Sequence, residues 1–234
     1  MNSQPPDNVD APATLEVVRV SPKKWKWLTW VSISVMIIGV LVLFIPRMMR
    51  IRGTCGQTEV VNNARQIGLA LFEFSLEYGK FPDETTISTV RKNYPTDLHL
   101  GAKTSNDFFR QLIVVKIAQS ESLFYAKIKG ITKPDNIMTA REALKKGECG
   151  FSYLSGLTVI GNLSRPLAVT PLIPGTDRFD PKPFKGKAVI LRTDNSVSSM
   201  PIREDGYVWI NGMNLLDPHH PIWEGKPPVI AWPE

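Results

Sequence analysis

The chain has 234 residues, 43% of them hydrophobic and 21% charged, with 19 Pro and 16 Gly. That composition excludes collagen-like, coiled-coil-only and wholly disordered chains and fits one folded domain with appendages. The formal net charge of +6 raises nucleic acid as a partner. Yet the basic residues gather beside one apolar run or mix with acids, and no zinc-finger spacing, RNP-like aromatic motif or Gly-Lys-Ser/Thr phosphate loop occurs. The charge is read as membrane-flanking, with no nucleic-acid partner.

Residues 1–21 open with Asn2, Ser3, Gln4, Pro5, Pro6, Asp7 and Asn8 and carry little apolar content, which predicts a solvated, disordered tail. Residues 27–45 contain no charged side chain, and at about 1.5 Å per residue they span roughly 28 Å, close to the hydrocarbon thickness of a bilayer. Trp25, Trp27 and Trp30 stand at one end, where indoles favour the headgroup interface. A cleaved signal peptide has a shorter apolar core and a small-residue cleavage site; here Pro46 runs straight into Arg47, Arg50 and Arg52. One uncleaved crossing anchored in membrane lipid is expected. Arg19, Lys23, Lys24 and Lys26 before the span balance Arg47, Arg50, Arg52 and Arg65 after it, so the positive-inside count is a tie. A short tail before a long carboxy-terminal portion places the amino terminus in the cytoplasm. The predicted organisation is a cytoplasmic tail (1–24), a transmembrane anchor with flanks (25–52) and an extracytoplasmic domain (53–234).

Gly53, Thr54, Cys55 and Gly56 suggest a break before a periodic stretch. There Val60, Ala64, Ile67, Leu71, Phe74 and Tyr78 recur at helical spacing, and Gly79 with Pro82 supplies the stop. Leu69, Phe72 and Leu76 widen the apolar surface, which predicts a helix packed on its own domain. Short helices are expected in the middle third: one after Ser105 and Asn106, and one opened by a capping box of Thr139 and Glu142. Strand signals follow at residues 167–173, 187–192 and 196–202, the last two joined by an Asp194-Asn195 turn. The fold class expected is α+β, with the amphipathic helix on a small antiparallel sheet of three or four strands. Residues 217–234, rich in Pro and Trp, read as irregular surface chain.

Two segments resemble the bacterial type IV pilins and type II secretion pseudopilins. Asn62-Asn63-Ala64-Arg65-Gln66-Ile67-Gly68-Leu69-Ala70-Leu71 with Tyr78-Gly79-Lys80-Phe81-Pro82 is similar to the "NNxRQIGLAL…YGxFP" segment of G-like prepilins. The 186–197 stretch, Gly186 to Val197, is similar to their terminal "GxxNVLFADGSV" hairpin. The resemblance reaches from about Trp25 to Ile202. It implies a pilin-like fold, a bacterial inner membrane location with a periplasmic domain, and partners among other pilin-like or secretion-system subunits. Where the family has a Gly before the leader cut and a Glu at the fifth mature position, this chain has Lys24 and Thr29. The departures imply a retained leader and a subunit that stays in the membrane.

No catalytic constellation stands out. Asp217, His219, His220 and Glu224 offer ligands to a divalent metal, but at no standard spacing, and are read as a solvated loop. Asp177, Asp180, Asp194 and Asn195 offer oxygens for calcium without an EF-hand pattern; Asp194-Asn195 reads as a turn pair. Cys55 and Cys149 are far apart and form no CxxC unit, leaving pairing and two free thiols equally open. Cys149 has no nearby His to activate it. The reading is therefore non-enzymatic, with no catalytic, cofactor or metal residue assigned: a structural subunit, or alternatively a single-pass binding protein for an extracytoplasmic ligand or partner.

Overall fold

The computed structural model describes residues 22–234, except the side chains of 22–25, 44–55 and 140. The predicted disorder of residues 1–21 lies outside the described residues. The chain divides into two units, residues 1–49 and 50–234.

In the first unit the described residues belong to helix α1, Pro22–Tyr78. One window of this helix, Lys26–Leu43, is long and apolar enough to cross a membrane, and none of it is buried. Thr29 and Ser32 return their hydroxyls to the helix, Thr29 Oγ1 donating to the Lys26 carbonyl (2.8 Å) and Ser32 Oγ to that of Thr29 (2.9 Å). The break expected at residues 53–56 does not occur, since α1 is helical throughout; glycine costs a helix only about 1 kcal/mol relative to alanine.

The second unit is α+β. A five-stranded antiparallel sheet has the order β4-β3-β2-β1-β7, from β1 (Ser152–Ser155), β2 (Pro166–Thr170), β3 (Lys187–Arg192), β4 (Val197–Pro201) and β7 (Val229–Ala231). A separate two-stranded ribbon joins β5 (Trp209–Ile210) and β6 (Met213–Asn214). Strand β3 falls at the predicted residues, and its hairpin with β4 aligns Leu191 with Val197 across the turn. Asn195 takes a left-handed φ of 63° there, a conformation asparagine tolerates. Strand β2 stops three residues before its expected end because Pro171 has no N–H to give a strand hydrogen-bonded on both sides.

The sheet has more strands than expected. β1 is the strand that the sequence does not announce: Tyr153 and Leu154 stand between Ser152 and Ser155, too short an apolar run to read. β7 lies in the segment read as irregular and pairs with β1, Leu154 opposite Ile230. That segment also buries Trp223 completely and ties its indole N–H to the Leu215 carbonyl (3.1 Å). It is part of the core.

The stripe Val60, Ala64, Ile67, Leu71 and Phe74 is buried, as its periodicity predicts. Leu69, Phe72 and Leu76, expected to extend that packing, instead remain exposed. Helix α1 touches the sheet where Gln57 Nε2 donates to Ser199 Oγ (2.9 Å) and where Gly68 meets the β3–β4 turn. Helix α2 (Ile87–Asn93) and helix α3 (Ser105–Val114) follow. Thr104 and Asp107 form a capping box on α3, and Phe109 joins Phe124 and Tyr153, with ring centroids 4.8 and 5.5 Å away. The capping box expected at Thr139 and Glu142 is not made: residues Ala140–Glu142 form a single 3-10 turn without a side-chain cap. Glu142 is drawn to Lys145 instead (2.5 Å).

Candidate functional site

The segments that carry the family resemblance converge around α1 and the hairpin. Asn63 Nδ2 donates to the carbonyls of Ser122 (3.0 Å) and Tyr125 (2.9 Å), tying α1 to a 3-10 turn, Glu121–Phe124. At Gly68 an added Cβ would stand 1.9 Å from Asn195 Oδ1 and 2.8 Å from Leu191 Cδ1. A side chain at this position would have to displace the Asn195 amide and the Leu191 methyl. Gly79, at φ 77°, ends α1 with its N–H on the Ser75 carbonyl (2.9 Å). Phe81 then enters the core, and the Pro82 carbonyl accepts from Tyr153 Oη (2.9 Å).

The candidate metal residues are committed to other work. His220 is buried; its Nδ1 accepts from the Ile222 N–H (3.1 Å) and its Nε2 donates to the Ile210 carbonyl (3.1 Å). This fixes the tautomer with both ring nitrogens engaged. Glu224 pairs with Arg165, and Asp217 Oδ1 is bound to the N–H and ring of His219 (2.8 and 3.2 Å). The Asp180 and Asp194 carboxylates cap their own turns through the N–H groups of Lys182 and Ser196, while Asp177 receives Asn214. Among the described residues no three His, Cys, Asp or Glu side chains are grouped to hold a metal. Cys149 is a buried free thiol bound to Ser105 (3.5 Å). Burial pushes it up to about 11, so the reactive thiolate is scarce. The Cys55 side chain lies outside the described residues.

A cleft of about 750 Å³, which no sequence motif announces, lies beside the start of α3. Arg91, Lys103 and Arg141 line it together with Asp97 and His99, and Arg110 forms its floor. Arg110 is buried, with four of its five N–H groups bonded. Nη1 bonds Glu234 Oε1 (2.9 Å) and Asp107 Oδ1 (3.2 Å), Nε the Ala143 carbonyl (3.2 Å) and Nη2 that of Leu144 (2.8 Å). Asp107 also accepts the N–H groups of Lys103 and Thr104, and His99 Nε2 lies 3.9 Å away. Charges of both signs thus line the cleft. The Thr104–Asp107 capping pair was legible in the sequence, but nothing there brings residues 91, 110, 141 and 234 together.

Compared with known proteins, the chain matches no protein-family profile, no curated protein and no solved structure.

Proposed function

We propose that the chain is a membrane-anchored, pilin-like structural subunit of a type II secretion-like or type IV pilus-like assembly. Residues 25–52 anchor it in a bacterial inner membrane, and residues 53–234 form the periplasmic domain. The supporting observation is the make-up of α1: it includes the apolar Lys26–Leu43 window and, further on, a stripe buried in an α+β domain with a β3–β4 hairpin against Gly68. Thr29 has an uncharged hydroxyl turned back on its own helix, which favours an anchored subunit over one that inserts an acidic side chain into a neighbour. The subunit acts by membrane insertion and lateral packing, without catalysis.

The test is affinity purification from detergent-solubilised membranes. Other pilin-like or secretion-system subunits should co-purify. Recovery of the chain alone, or with an unrelated ligand, would replace this reading with a single-pass binding protein, which the 750 Å³ cleft favours.

A further inference from the structure

Glu121 is a fully buried acid that the proposed function does not use. Its Oε1 accepts the Leu144 N–H, while Oε2 is buried and has no hydrogen-bond partner. Leu144 sits at φ 49°, in the left-handed region that a leucine enters only when its surroundings hold it there. From the other side its carbonyl is held by Asn106 Nδ2 (3.1 Å) and Arg110 Nη2 (2.8 Å).

The charges facing Glu121 do not neutralise it. From the 131–148 segment Asp135 and Glu148 add negative charge. In the same segment the Lys145 ammonium is taken by Asp135 (2.8 Å) and Glu142 (2.5 Å). From α3, Arg110 turns to two carbonyls and to Asp107 and Glu234. From α1 the uncharged Asn63 binds the carbonyls of Ser122 and Tyr125, beside Glu121 in the chain, and Glu59, acidic again, acts on Tyr125. Burial first, then Glu148 and Asp135, hold the Glu121 carboxyl above the usual range, against the opposing N–H groups of Leu144 and Asn136.

We propose that Glu121 is a proton-operated latch: its neutral carboxyl keeps residues 143–148 closed over the Glu121 side chain, and release of the proton to solvent favours a conformer in which this segment lifts and water reaches the carboxylate. The sign follows from linkage. The carboxyl is neutral in both conformers below the ordinary glutamate value of about 4.3, and closure weakens as pH rises through the raised value of the closed form. Arg110 binds the carbonyls of Ala143 and Leu144, so opening also disturbs the floor of the cleft.

Hydrogen exchange at the Leu144 amide, the one that Glu121 holds, tests this in the full chain in detergent micelles, at pH 5 and pH 8, with rates corrected for intrinsic exchange. Protection in the wild type should fall with rising pH, by roughly tenfold for each unit by which the raised value exceeds pH 5. Glu121→Gln keeps the accepting oxygen but cannot ionise, and its protection should change less than about twofold over the same range. Equal pH dependence in both proteins, or none in the wild type, overturns the latch. Should the variant fail to fold, carboxyl-carbon NMR titration of wild-type Glu121 decides: a midpoint above that of ordinary glutamate supports the proposal, and one at or below it defeats the proposal.

Discussion

Gly68 is where the two family-like segments meet, and the contact is steric. A Cβ there would lie far inside van der Waals distance of Asn195 Oδ1 and Leu191 Cδ1, so Gly68→Ala should destabilise the protein by about 1 to 3 kcal/mol, the usual cost of overpacking. Asn195 is the movable half of this clash, and its positive φ suits glycine as well as asparagine. Asn195→Gly should therefore restore part of the loss in a double-mutant cycle followed by urea unfolding. Additive effects of the two substitutions would mean that the helix and the turn are not in contact. The sequence announced Gly68 only as part of a motif. Its reason, a close approach by a residue more than a hundred positions away, exists only in the folded chain. Glu121 teaches the converse: a lone acid in an ordinary polar stretch gives no sign in sequence that it will be buried.

At the scale of elements, helices are legible by period and strands by length of apolar run. The α1 stripe shows because a spacing of 3.6 separates buried from exposed positions, and β2 and β3, buried almost throughout, show as apolar runs bounded by turn residues. β1 has only two apolar residues between serines, and β7 only three residues among prolines. The outward face of α1 was misjudged for a related reason: Leu69, Phe72 and Leu76 are as apolar as the stripe, and nothing in composition tells which of two apolar faces will meet the sheet. Their exposures of 60, 44 and 74%, against 0% for Leu71, give a sharp contrast within one helix. Leu71→Ala should cost about 2 to 5 kcal/mol, as large-to-small changes in a core do. Leu69→Ala, two residues earlier, should stay within about 0.5 kcal/mol, as surface substitutions usually do. Unfolding of both variants in urea measures the difference, and similar losses would put Leu69 in the core and reverse the assignment of faces. The solvated-loop reading of Asp217, His219, His220 and Glu224 needs one correction: His220 is buried, with both ring nitrogens bonded to the Ile222 and Ile210 backbone, partners that no spacing in the sequence reveals.

For the whole molecule the decisive question is how the chain stands to a membrane. The Lys26–Leu43 window is entirely exposed; exposed leucines, isoleucines and valines in such numbers are costly in water, at about 25 cal/mol per Å² of apolar surface, and are at no disadvantage in lipid. The proposed anchor therefore predicts that the full chain stays with membranes after carbonate extraction, whereas a chain beginning near Arg50 is released. Charge does not fix the orientation, because Lys and Arg are evenly balanced on the two sides of the span; the amino-terminal cytoplasmic reading rests on the short tail and the long folded unit that follows it. A phosphatase that is active only in the periplasm, fused after Glu234, should be active, and a reporter that works only in the cytoplasm should be silent at the same point. Mass spectrometry of the extracted protein should still find peptides from residues 1–24, since Lys24 stands where a leader peptidase would need glycine. The outcomes separate three cases. Reversed reporters would place residues 53–234 in the cytoplasm and end the pilin-like reading. The expected reporters with a new amino terminus near Trp25 would mean that the leader is cut after all, restoring a filament-forming subunit in spite of Thr29. The expected reporters with an intact terminus leave the chain as proposed, held in the membrane by a helix it keeps.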